Sequence, residues 1–107
     1  VRDIMANYVI EYKQYGGSGY RFLRKLNNDY VVFNSIQDAR KKCVKLIKDC
    51  TATLCVIRGD GEKLVYTTEL GEFVCENRDT GTWTMLRENG TLGKRVNPRA
   101  IWTVLVK

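Results

Sequence analysis

The stretch QYGGSGYRFLRKL, residues 14–26, interleaves Tyr15, Tyr20 and Phe22 with Arg21, Arg24 and Lys25. Flat rings at that spacing can stack bases, while guanidinium and ammonium groups meet phosphates. A second run, NSIQDARKKCVKLIKDC at residues 34–50, sets Lys41, Lys42, Lys45 and Lys48 at helical spacing. Lysines on a helix neutralise phosphate or keep a surface hydrated, but they lack the bidentate contacts by which Arg, Asn and Gln read base edges. Arg21, Arg24, Lys25, Lys41, Lys42, Lys45 and Lys48 are therefore the candidate nucleic-acid contacts. The plainer alternative makes the helix lysines a solubility coat and the strand aromatics part of the core.

Other chemistry is thinly supplied. The chain has no His, so Ser–His and Cys–His nucleophiles cannot be assembled within it. Glu69, Glu72, Glu76 and Asp79 are close in sequence, yet carboxylates on strand edges and turns are solvated, and acid–base catalysis needs a cleft that perturbs them. Cys43, Cys50, Cys55 and Cys75 fall in apolar periodic segments without C-x-x-C spacing. They read as free, packed thiols rather than zinc ligands, disulfides or nucleophiles. The run YGGSGYRF is glycine-rich, but a phosphate-binding loop opens a helix and this one opens a strand. No catalysis, cofactor or metal is expected.

The charge is unevenly spread. Residues 1–50 carry ten basic and five acidic groups, residues 51–79 three and six, and residues 80–107 five and one, within a net charge of +6. Basic surfaces beside an acidic hairpin attract anions to one side. A length of 107 residues fits a single domain, 1–107, with one core. No run is apolar and long enough to cross a bilayer, and the first residues lack the pattern of a secretory signal. The expectation is a soluble, cytoplasmic protein with no membrane partner, in which Val1–Ile4, preceding Met5, are a leader without a role in the fold.

These residues need elements to hold them. NYVIEYKQ alternates as a strand, a glycine cluster punctuates, YRFLRKL resumes as a strand, and NND turns the chain into YVVF. Ser35 and Asp38 then form a helix start of capping-box type. Ile36, Ala39, Cys43, Leu46, Ile47 and Cys50 draw one apolar stripe, predicting an amphipathic helix over about 35–49 that lies on a sheet. LCVIR and EKLVYT flank GDG as one hairpin, and GEFVCEN and TWTMLRE flank RDTG as another. NGTLG is turn chemistry, KRVNPR a basic connector, and AIWTVLVK a closing strand, apolar on both faces, that is interior to the sheet or covered on both sides.

The predicted fold is α+β: a mainly antiparallel sheet of about six strands with one helix on one face. One helix cannot cover such a sheet, so the sheet either curls into a partly closed barrel or turns its far face to a partner. The strands, the F-x-S-x-x-D-A helix start at Phe33–Ala39 and the run LCVIRGDGEKLVY look like small bacterial and phage domains. The strand-strand-helix first half is similar to integrase arm-binding domains, a resemblance that implies a topology and no site residue. The functional expectation is a small non-catalytic intracellular binding module whose basic face meets an anionic partner, nucleic acid, without sequence specificity. The alternative is a protein-binding module or inhibitor of phage or mobile-element type, meeting a protein partner or a second copy through an uncovered sheet face or edge.

Overall fold

Alternation in the first strand divides the molecule into two sides. In a computed structural model, which describes residues 7–17, 19–59, 61–68 and 71–97, strand β1 spans Val9–Gln14. Ile10 and Tyr12 turn to one side, Val9, Glu11 and Lys13 to the other, because successive side chains of a strand point oppositely. Strand β2, Tyr20–Phe22, returns antiparallel to β1 with Glu11 opposite Phe22, Tyr12 opposite Arg21 and Lys13 opposite Tyr20. The glycine-rich loop joins them, and Gly16 takes a left-handed φ of 76° that a side chain would resist.

Helix α1 spans Ile36–Lys48. Ser35 caps it, its hydroxyl accepting from the Asp38 amide at 3.4 Å, and Asp38 places a negative charge in the first turn. Ala39, Cys43, Val44 and Leu46 are buried. Cys50, read from the sequence as the last member of the apolar stripe, is exposed beyond the helix end with φ of 60°. Its amide donates to the Ile47 carbonyl at 3.1 Å and that of Thr51 to the Leu46 carbonyl at 2.9 Å. This pair of bonds forms a Schellman stop, which needs a left-handed residue at the position Cys50 holds.

Strands β3 (Ala52–Arg58), β4 (Lys63–Thr67), β5 (Phe73–Asn77), β6 (Thr82–Leu86) and β7 (Leu92–Arg95) then form a meander. The described strands make one antiparallel sheet in the order β2-β1-β3-β4-β5-β6-β7, open at its β2 and β7 edges. The α+β class, the one helix among the described residues and both later hairpins agree with the sequence. The seventh strand lies across the end of the expected turn NGTLG and the start of the expected basic connector KRVNPR. YVVF contributes only bridges, Tyr8 opposite Phe33 and Arg24 opposite Tyr30. The expected leader and the expected closing strand, AIWTVLVK, lie outside the described residues.

The helix packs on β1, β3 and β4, and the core beneath it joins Tyr8, Ile10, Cys43, Val44, Cys55, Ile57, Val65 and Cys75. Ile10 and Ile57, opposite one another in the register, are both fully buried. Truncating either to Ala removes packing worth about 2–5 kcal/mol. The opposite side has a cluster of its own, Tyr66, Val74 and Trp83, each at most 9% exposed, with Leu54, Leu64, Met85 and Val96 against it. Tyr66 and Trp83 stack at 5.6 Å between centroids, so the centre of the far face is not bare. All four cysteines are free thiols, and Cys43, Cys55 and Cys75 are buried. Among the described residues no helix is long and apolar enough to cross a membrane.

Candidate nucleic-acid interface

After β2 the chain leaves the sheet edge as a short hairpin. The Lys25 amide donates to the Asp29 carbonyl at 2.7 Å and the Asn28 amide to the Lys25 carbonyl at 2.9 Å. Asn28 takes φ of 75°, the left-handed position that a three-residue hairpin loop requires and that Asn tolerates. Asn27 braces the tip, accepting from the Asp29 amide at 3.1 Å and donating to the Asp29 carboxylate at 3.0 Å. Leu26, at the tip, is fully exposed.

Strand parity collects one surface on the side away from the helix. Tyr20, Phe22 and Arg24 alternate along one strand, Arg24 is opposite Tyr30, Tyr20 is opposite Lys13, and Val32 shares the parity of Tyr30. Tyr20 is 50% exposed, Tyr30 45% and Val32 50%. The Phe22 and Tyr30 rings are tilted, 5.1 Å apart. Arg24 lies 4.5 Å from the Tyr30 ring centroid and donates to the Asn28 carbonyl at 3.1 Å, so a cation–π contact and a hydrogen bond fix its plane. Among the described residues no carboxylate pairs with Arg21, Arg24 or Lys25; Asp29, the acid of the hairpin, is turned to Asn27. Glu11, opposite Phe22, is held at 2.9 Å by Arg58.

The helix arranges its charges differently. Lys41, Lys42, Lys45 and Lys48 line one cleft of about 500 Å³ with Phe33 and Val44. Asp38, Asp49 and Glu88 line the same cleft. Lys45 meets Asp49 at 3.3 Å, and Lys48 meets Glu88 at 2.7 Å. The Glu88 carboxylate raises Lys48 above the ordinary ammonium range. Arg40, on the same helix, is half-buried with its Nε enclosed and unpartnered. Its guanidinium sits beside the Cys75 thiol and opposes the upward push of burial on that group.

No protein-family model, curated protein or solved structure matches this chain.

The seven cations singled out in the sequence therefore occupy three places. Arg24 and Lys25 belong to the hairpin. Arg21 stands next to them on β2 but points to the helix side, since its partner Tyr12 packs in the helix-side core. The four lysines share the cleft, interleaved with three acids. Of the aromatics, Tyr20 and Phe22 are brought together, while Tyr15 stands exposed in the glycine-rich loop. Sequence reasoning missed Tyr30, Val32 and Lys13. Their signal was the turn NND, which folds YVVF back so that Tyr30 faces Arg24. Such an arrangement can offer ring faces to planar groups and cations to phosphates.

Proposed function

We propose that the protein is a small non-catalytic module that binds nucleic acid, without sequence specificity, through β2 and the hairpin that follows it. The supporting observation is one of placement: Tyr20, Leu26, Tyr30 and Val32 are exposed within residues 20–32, beside Arg21, Arg24 and Lys25, which no described carboxylate neutralises. Exposed large apolar side chains grouped on one small surface signal a binding site rather than scatter. Cations supply attraction to the phosphate chain, and the rings supply contact area that tolerates any base. Four free thiols suit a reducing compartment, in keeping with a cytoplasmic protein.

A protein partner would use this same surface, with Leu26 as an anchor. The alternative site, the far sheet face, is filled at its centre by Tyr66, Val74 and Trp83.

The experiment is a titration of oligonucleotides against salt. Each phosphate neutralised contributes roughly 0.7 to the slope of log K against log salt for a single strand and about 0.9 for a duplex. The double variant K13Q/K25Q is expected to flatten the slope by about one to two units. The triple variant K41Q/K45Q/K48Q is expected to leave it within about one unit, because Lys45 and Lys48 already have acidic partners. A chain whose binding is absent or insensitive to salt overturns the proposal.

A further inference from the structure

We infer that the hairpin surface takes unpaired nucleic acid, with the Tyr20 and Tyr30 rings as stacking platforms and Arg24 as the residue that positions Tyr30. The inference rests on the nucleic-acid reading above and narrows its substrate.

Geometry decides between strand types. In a duplex each base is covered above and below by its neighbours, and only edges are offered in the grooves. A ring standing on a sheet has no face to meet there. An unpaired strand can splay its bases onto aromatic side chains, and sheet surfaces that bind single strands work in this way. Tyr20 stands half-exposed opposite Lys13, and Tyr30 stands half-exposed opposite Arg24, so each ring has a cation across the strand pair from it. Phe22 lies between them along the surface, half-buried and 5.1 Å from Tyr30, which makes the apolar floor continuous.

Arg24 is stacked 4.5 Å from the Tyr30 ring centroid and tied to the Asn28 carbonyl. That contact fixes the ring and the guanidinium against one another and keeps an uncompensated charge beside the ring. The acids of the neighbourhood are engaged: Glu11 with Arg58, Asp29 with Asn27. Charge complementarity therefore favours a phosphate chain running past Lys13, Arg24 and Lys25, its bases turned toward the rings. Stacking asks only for a π-face, which every base has. The preference is for unpaired over paired bases, not for one base over another.

The test compares a fluorescein-labelled 20-mer of thymidine and a mixed-sequence 20-mer with the matching duplex, by anisotropy at one salt concentration. The chain is expected to bind the single strands at least about 10-fold tighter than the duplex. Y20A and Y30A are each expected to lose between about 5-fold and 150-fold on the single strands while changing duplex binding little. Y20F and Y30F keep the ring and are expected to bind as the parent does. Because Tyr30 also touches Phe22 and Arg24, Y20A, whose side chain makes no such contact, separates lost stacking from a disturbed hairpin. Equal affinity for single strand and duplex, or tyrosine variants that bind like the parent, overturns the single-strand inference and leaves salt-dependent nucleic-acid binding standing. Failure to bind either form overturns both and leaves the exposed rings and Leu26 to a protein partner.

Discussion

Cys50 holds the position after a helix where glycine is the usual residue. Its φ of 60° is left-handed, a conformation that costs an ordinary side chain roughly 1–2 kcal/mol. Glycine avoids that cost, although its freer unfolded chain returns about 0.5–1 kcal/mol of it. The substitution C50G is therefore expected to stabilise the protein by about 0.5–1 kcal/mol, read as a higher urea midpoint at unchanged slope. A midpoint equal to or below that of the parent would show that Cys50 relieves its strain in another way. The same variant removes the one exposed thiol, so native-state labelling should fall from one fast-reacting cysteine to none, while Cys43, Cys55 and Cys75 react only on unfolding. Burial, joined by the neighbouring Cys55 thiol, also holds the Cys43 thiol well above its ordinary range and so suppresses the reactive thiolate. At this scale the sequence was readable for the cap, since Ser35 does what its position three residues before Asp38 implied. It was misleading at Cys50, because helical spacing continues on paper past the point where the backbone turns left-handed.

Between β4 and β5 on the far face, Tyr66 donates to the Glu76 carboxylate at 3.0 Å and stacks on Trp83. Burial, with the bond to Glu76 second, pushes the Tyr66 phenol well above its ordinary range. The fold thus favours the neutral phenol. That contribution is fully present below the unfolded-state pKa of about 10 and is lost as pH rises beyond it toward the folded value. Y66F keeps the ring and removes the proton, and should cost about 1–2 kcal/mol at pH 8. The gap between parent and variant is expected to narrow between about pH 10 and pH 11, measured by urea unfolding at each pH. A gap that stays constant would mean that the phenol does not titrate with unfolding. Among the elements, period-two alternation flanking GDG and RDTG was enough to find the two long hairpins. It failed at Leu92–Arg95, where Gly93, Lys94 and Arg95 carry no apolar alternation and the strand exists because β6 offers it a ladder. It also failed to show that YVVF is bent around a hairpin, since a pattern of apolar residues does not reveal which strand a segment will pair with.

At the scale of the molecule, the helix and the hairpin are two answers to the same surplus of positive charge. Both were visible in the sequence as clusters of cations. What sequence could not show is the company each keeps, because Glu88 reaches Lys48 from 40 residues away and Tyr30 reaches Arg24 only through a turn. The β6–β7 turn is held against the helix by the Gln37 side chain donating to the Asn89 carbonyl at 3.1 Å, and there Gly90, with φ of 90°, passes the Gln37 carbonyl where a side chain would not fit. Glu88 is thereby presented to the lysine cleft, where Lys45 and Lys48 are ion-paired, while Arg21, Arg24 and Lys25 have no carboxylate partner among the described residues. The direct test is to follow the backbone amides of the ¹⁵N-labelled chain by NMR during titration with a thymidine 20-mer. The expected result is that the largest shifts fall within residues 20–32 and at Lys13, saturating together, with residues 36–48 of the helix nearly still. Shifts concentrated on Lys41, Lys45 and Lys48 with a silent hairpin, or no shifts at any ratio, would contradict the assignment of function to the hairpin surface.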